Sequence, residues 1–378
     1  MVSIRVLFVI TTIATAGWAA TLPFLAVYLA VSRDTPFWII GVSYLATGLL
    51  TLVSQVIGGR LVDTMGPKRV MIIGMALAVP FTLVLGYLVG VNSSVAAIAI
   101  LYPISTFARG ISGPAQSSLL VTYDVKKMNA AFSILTIGGN LGFAVGPLIG
   151  GILASTYNFS AVFFFSAVTP VVTLLMVAAW IEGGPLPRLR LQSHAESRGG
   201  WLDWKRDRNV ILFLILTFCA FLTSAFETTP MSLYAASFLH IPTVEIGYLF
   251  ATNGVVIVIL QIPVIRAFER LRNLSMPLIA GCLASAIGFV GIGVTHGFAQ
   301  LEVWIIVLAI GEILLSVPSQ TIISLLSPPS SRGVYQGYYL GAVNAGRSMA
   351  SFLGPLSFTI WKVYFKTLGA SSPERSLP

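Results

Sequence analysis

The chain is 378 residues long, 56% hydrophobic and only 9% charged; soluble domains carry roughly 25% charged residues, so a water-soluble globular protein is excluded and a polytopic membrane protein is indicated. The net charge of +9 is accounted for by where the lysines and arginines fall along the chain, and no nucleic-acid partner is needed to explain it. Cys219 and Cys282 sit in apolar runs and the three histidines are scattered, which supports neither a disulfide framework nor a metal centre, and no cofactor is expected.

A helix crosses a bilayer in about 20 residues. Apolar runs of that order fall at 4–32, 36–62, 69–91, 95–123, 128–157 and 159–182. The first opens like a signal peptide, with Arg5 and small residues near Ala19 and Ala20, but it stays apolar to about Ala30 and is long enough to span. Residues 183–208 break the pattern with Arg188, Arg190, Arg198, Lys205, Arg206 and Arg208, and read as a linker with Trp201 and Trp204 at the membrane interface. Further spans follow at 209–239, 243–267, 274–295, 299–326 and 333–364. The expected organisation is an all-α membrane protein of eleven spans: a six-helix bundle over 1–182, a cytoplasmic linker over 183–208, and a second bundle over 209–378 with five recognisable spans.

Alternate loops test this assignment, because lysine and arginine accumulate on the cytoplasmic side. Sixteen fall on the side of the N-terminus and linker: Arg5, Arg60, Lys68, Arg69, Lys126, Lys127, the six of the linker, Arg266, Arg270, Arg272 and Arg332. Only Arg33, Lys362, Lys366 and Arg375 fall opposite. A cytoplasmic N-terminus in a multi-pass cell-membrane protein is the expectation.

The chain also repeats itself at an offset of about 205 residues. Leu22-Pro23 answers Thr229-Pro230, with Tyr28 and Tyr234 following; Gln55, Arg60 and Asp63 answer Gln261, Arg266 and Glu269. Pro114-Ala115-Gln116 answers Pro318-Ser319-Gln320, and Gly146-Pro147-Leu148 answers Gly354-Pro355-Leu356. Two parallel copies of a six-helix unit are indicated. On that register the twelfth span is missing from this sequence, since KTLGASSPERSLP is too short and polar to cross. The expected protein is a lipid-embedded monomer, with a natural shortening, a misplaced end or a partner that supplies the helix all left open.

Several stretches carry chemistry. On span 1, Thr11, Thr15 and Trp18 share a face with no acid among them. Gly59, Asp63, Gly66, Lys68 and Arg69 punctuate the turn after span 2, where a carboxylate can hold the positive end of a helix in the other half. On span 4, Tyr102, Ser105, Arg109, Gly113 and Gln116 recur every three or four residues as a polar stripe, read as a cavity wall. Arg109 is mid-membrane, where a charge is kept for a partner or an aqueous cavity; a structural ion pair or a carbonyl cap remains the alternative. Gly138, Gly142 and Gly146 recur every four residues on span 5, with Pro147, Gly150 and Gly151 following, as a seam for close helix approach with a kink.

In the second half the mid-membrane charges are Glu227, Glu312 and Arg347. Glu312 shares its face with Ser316, Ser319 and, slightly rotated, Gln320; Glu227 shares its face with Met231 and Tyr234 beside Pro230. Burial favours the protonated carboxyl and an adjacent arginine favours the ionised one. A glutamate whose arginine comes and goes can therefore load and release a proton. Glu312 and then Glu227 are the candidate proton carriers with Arg347 as the tuning charge; a permanent Glu–Arg pair is the alternative. Asn140, Asn253, Gln261 and Asn344 add neutral hydrogen-bonding capacity, in a cavity or between helices. No phosphate loop, nucleophile elbow or metal box is present, so neither an ATP-driven pump nor an enzyme is expected.

Two of these stretches resemble signatures of the major facilitator superfamily. GFAVGPLIGG resembles its fifth-helix antiporter motif, G-x-x-x-G-P-x-x-G-G, with Gly142, Gly146, Pro147, Gly150 and Gly151 at the fixed positions. GRLVDTMGPKR resembles its signature loop, matching at Gly59, Leu61, Asp63, Gly66, Lys68 and Arg69 and departing at Val62, Thr64 and Pro67. Arg109 to Gly113 loosely resembles the fourth-helix motif R-x-x-x-G, whose arginine is connected with proton transfer. The resemblance implies helices 1, 4, 7 and 10 around a central cavity and Asp63 latched to the start of span 11 near Gly333. Read from the shared faces above, the substrate cavity is expected to include Trp18, Tyr102, Gln116, Tyr234, Ser316 and Gln320. The resemblance further implies proton-coupled efflux of small amphipathic or cationic compounds by alternating access. A metabolite symporter or uniporter, with Arg109 holding an anionic substrate, and a non-transporting sensor or assembly subunit are the competing readings.

Overall fold

The computed structural model describes residues 4–120, 125–181, 207–269, 275–327 and 332–367. Among these, the chain is helical apart from short connections. Numbered by span, the helices are α1 (Ile4–Val27, continued by a π-helical turn Tyr28–Ser32), α2 (Phe37–Met65), α3 (Pro67–Gly90), α4a (Val95–Gly110), α4b (Gly113–Leu120), α5 (Val125–Thr156) and α6 (Phe159–Trp180). The second set is α7a (Arg208–Ser224), α7b (Thr229–Ser237), α8 (Thr243–Glu269), α9 (Ser275–Gly293), α10 (Phe298–Leu326) and α11 (Arg332–Thr367). Ten stretches of the described residues are long and apolar enough to cross a membrane; α11, 36 residues long, covers the eleventh expected span. The linker over 183–208 lies outside the described residues except for its last two.

Local sequence explains the boundaries. Gly66 ends α2 at φ 81°, a left-handed conformation that a Cβ disfavours, and Pro67 then starts α3 where its missing N–H costs nothing. Ser94 and Asn158 cap α4a and α6 by accepting from the backbone N–H of Ala97 (3.2 Å) and Ala161 (3.0 Å).

Spans 4 and 7, expected at 95–123 and 209–239, are each built from two helical pieces. Pro114 cannot donate to the carbonyl of Gly110, and the Ser112 hydroxyl and N–H both turn to the Arg109 carbonyl, at 2.7 and 3.1 Å. Pro230 likewise interrupts span 7: α7a tightens into a 3-10 turn at Ala225–Glu227, Thr228 adopts φ −90°, ψ −105°, and α7b starts afresh. Arg109 and Glu227 thus stand beside breaks in their helices.

The glycines of α5 face two ways. A Cβ at Gly138, Gly142, Gly146 or Gly150 would run into α1, successively at Phe8, at Thr12 and Thr15, at Ala16, and at Ala20 and Phe24. Gly151 instead faces Thr243, Val244 and Gly247 of α8, where the Pro147 carbonyl also lies. So α5 is clamped between a helix of its own half and one of the other half. The second seam between the halves joins α2 to α11, Gly41 against Phe352 and Pro355 and Gly48 against Ser348. Under the repeat, α5 corresponds to α11 and α8 to α2, so the seams are equivalent.

The hydrophobic cores reveal which way the bundle opens. On the linker side, Leu7, Val70, Leu119 and Val177 cluster among the first six spans, while Val210, Phe221, Ile323 and Tyr339 cluster among the last five. Neither core crosses between halves. On the far side both clusters do: Phe24 and Val162 pack with Met231, Ile246 and Leu301, and Leu29, Phe37 and Tyr44 pack with Leu233, Phe238 and Phe358. The halves are sealed on the far side and parted on the linker side.

Candidate functional site

Between the halves lies a cavity of ≈ 530 Å³, large enough for a drug-sized molecule. Side chains from both halves line it, and the charged ones are Arg109, Glu227, Glu312 and Arg347. Arg347 on α11 donates from Nη2 to Glu312 Oε1 at 3.2 Å, with the two side chains 49% and 18% exposed. The arginine is therefore a half-exposed wall group paired with a more deeply covered carboxylate. Its guanidinium also lies 5.5 Å from the Phe221 ring centroid. Glu227, carried on the 3-10 turn, accepts from Asn253 Nδ2 at 3.5 Å and is within hydrogen-bonding reach of Glu312. Three charged groups from α7, α10 and α11 thus form one cluster.

Arg109 stands apart. Its Nη2 donates to both the carbonyl and the hydroxyl of Ser166 on α6, each at 3.1 Å. Tyr102 and Ser105 instead line a small neighbouring void, which Arg109 also borders. Gln116 donates to the Thr11 hydroxyl. The expected single stripe along span 4 is corrected accordingly: only Arg109 of those five residues lines the cavity.

Trp18 lines the cavity, 6.2 Å between ring centroids from Phe143. Tyr234 does not line it; it stacks with Phe238 and Phe358, at 5.8 and 6.5 Å, in the far-side seal. Ser316 turns to the carbonyl of Ile313 in its own helix, at 3.5 Å, and neither it nor Gln320 is among the lining residues.

Asn140, Asn253 and Asn344 line the cavity, and Gln261 instead accepts from Asn140 Nδ2 at 3.3 Å, bridging α5 and α8. Sequence reasoning missed the wall made by α2, where Thr47, Thr51 and Gln55 face inward. Their four-residue spacing on an apolar helix was the available signal.

In the loop after α2, Gly59 has open space around it, Arg69 is exposed, and Lys68 Nζ donates to the Ala178 carbonyl at 3.1 Å. Lys68 thus caps the end of α6 in its own half instead of completing a latch between halves. The side chains of Asp63 and of residues 331–334 lie outside those described.

The sequence profile of the Major Facilitator Superfamily matches residues 7–356. The chain belongs to the Major Facilitator Superfamily. It is a multi-pass membrane transporter with a small-molecule substrate, not an enzyme. Among superfamily relatives it is 24% identical over 304 residues to the uncharacterized MFS-type transporter YttB of Bacillus subtilis, covering 79% of this chain and 73% of that protein. It is 24% identical over 302 residues to the multidrug resistance protein MdtH of Shigella dysenteriae, covering 78% and 72%. In fold it resembles the crystal structure of a peptide transporter, POT, in complex with sulfate (TM-score 0.71, 17% identity, 97% of this chain and 91% of that one). The nucleoside transporter NupG is similar at TM-score 0.72 and 16% identity, over 98% and 94%.

Proposed function

We propose that this transporter is a proton-coupled efflux antiporter of small amphipathic compounds with a positive charge, and that Glu227, Glu312 and Arg347 couple the two fluxes. The observation that carries the reading is the cluster itself. Two carboxyls lining the same cavity can share one proton, and Arg347 is open enough to move off Glu312. A cationic group entering the cavity competes with the proton for the same negative charge, which makes the exchange obligatory. Efflux is supported by the fifth-helix glycine motif and by the similarity to a protein named for multidrug resistance. The excess of basic residues in the linker-side loops supports a cell-membrane protein whose N-terminus and open cavity face the cytoplasm.

The test is proton release on binding. When a lipophilic cationic dye is titrated into purified protein in weak buffer near neutral pH, the wild type releases protons as the dye binds. Glu312→Gln binds dye without release. Dye binding with no proton release in the wild type would sink the coupling scheme.

A further inference from the structure

Arg109 is the cavity charge that no carboxylate answers. Among the described residues it makes no ion pair, and the two bonds it does make, to Ser166, both use Nη2. A guanidinium has five N–H donors in a planar fork suited to a carboxylate, so most of this one is uncommitted at the cavity wall. Keeping a cation at mid-membrane depth is expensive unless an anion meets it there.

The acids come from the other half of the chain, where Arg347 balances one carboxylate of the Glu227–Glu312 pair. With a proton on that pair the wall is neutral. Once the proton leaves, the wall carries one net negative charge and faces one positive charge on Arg109. A simple cation would leave Arg109 unanswered and share the cavity with it.

We propose that the cavity selects dipolar substrates, compounds bearing both an ammonium and a carboxylate. The ammonium takes the proton's place at Glu227 and Glu312, Arg109 receives the carboxylate, and Trp18 with Phe143 packs against the apolar body. This rests on the carboxyl-pair exchange proposed above and names its substrate class.

Three probes sharing one fluorophore test it: Nε-dansyl-lysine, dansylcadaverine, which is the same molecule without the carboxylate, and 6-(dansylamino)hexanoic acid, which lacks the ammonium. Fluorescence titration of the full chain in lipid nanodiscs, in gluconate so that chloride does not occupy Arg109, gives the affinities. The wild type binds the zwitterion roughly tenfold more tightly than either relative, the scale of one charge contact in a cavity. That zwitterion-to-cation ratio falls to about one in Arg109→Gln and is largely kept in Arg109→Lys. A wild-type ratio of one or less, or a ratio that survives in Arg109→Gln, overturns the proposal. Should Arg109→Gln not fold, the wild-type ratio and its retention in Arg109→Lys decide. Failure of the exchange scheme is distinct: the zwitterion would then bind with Arg109 dependence and no proton would leave. Proton release on cation binding without any zwitterion preference would sink the substrate class and leave the exchange standing.

Discussion

Arg347 has two supports, the Glu312 carboxylate at 3.2 Å and the Phe221 ring at 5.5 Å. Exposed pairs of this kind contribute about 0–1 kcal/mol, so the contact can break and re-form without risk to the fold. Arg347→Gln is therefore expected to change the thermal midpoint little while it weakens dye-coupled proton release severalfold; a large loss of stability would make Arg347 a structural group. The glycines make a contrasting case. A methyl at Gly146 meets the backbone of Ala16, whereas one at Gly59 meets nothing within 4 Å. Gly146→Ala should destabilise by about 1–3 kcal/mol, the usual cost of overpacking, and Gly59→Ala should be silent, as read from thermal unfolding in detergent. Equal effects would mean that the α1–α5 seam is not close-packed.

At the scale of the helix, the charges at mid-membrane were legible in the sequence because a lone ionisable residue in an apolar run stands out. Their directions were less legible. Periodicity assumes an unbroken helix, and the interruptions at Pro114 and Pro230 reset it: past the first, Gln116 left the cavity wall, while Arg109 and Glu227 stayed on it. Tyr102, on the unbroken part of span 4, is two turns nearer the far side and packs in the core there. Tyr234, past the second break, joined the far-side seal. The α2 wall escaped notice for a different reason, since the hydroxyls of Thr47 and Thr51 are returned to the carbonyls of Ser43 and Thr47 (2.8 and 2.7 Å) and so pass as ordinary helix residues. The break in span 7 is open to test. Pro230→Ala restores a backbone donor and favours a continuous helix, which would turn Glu227 away from Asn253 and Glu312. Transport should fall by about tenfold or more with little loss of folded protein; unchanged transport would mean that the turn at Ala225–Glu227 does not depend on the proline.

For the molecule as a whole, the duplicated architecture was legible because the four matched pairs of segments keep one order and one offset. The state of the bundle was not, because nothing in a sequence says which side two halves meet on. It follows from the cores, joined on the far side and separate on the linker side. The far-side seal includes the rings of Phe37, Tyr234, Phe238 and Phe358, and Phe358 contacts the other three at 5.2–6.5 Å. Each such pair contributes about 0.5–1.5 kcal/mol. Phe358→Ala should therefore shift the population toward the oppositely open state, seen as faster labelling of a cysteine at Ser351 by an impermeant maleimide from the far side, with Cys219 and Cys282 replaced by serine. Unchanged labelling would place the seal elsewhere. The central claim is that one carboxyl cluster trades protons for substrate as the halves rock. Its most direct test follows a cationic dye and lumenal pH together in proteoliposomes under an imposed pH gradient, for the wild type and for Glu312→Gln. The account predicts dye and proton moving in opposite directions in the wild type, and loss of the proton movement in the variant. Dye crossing at full rate with no proton movement in either protein would contradict it.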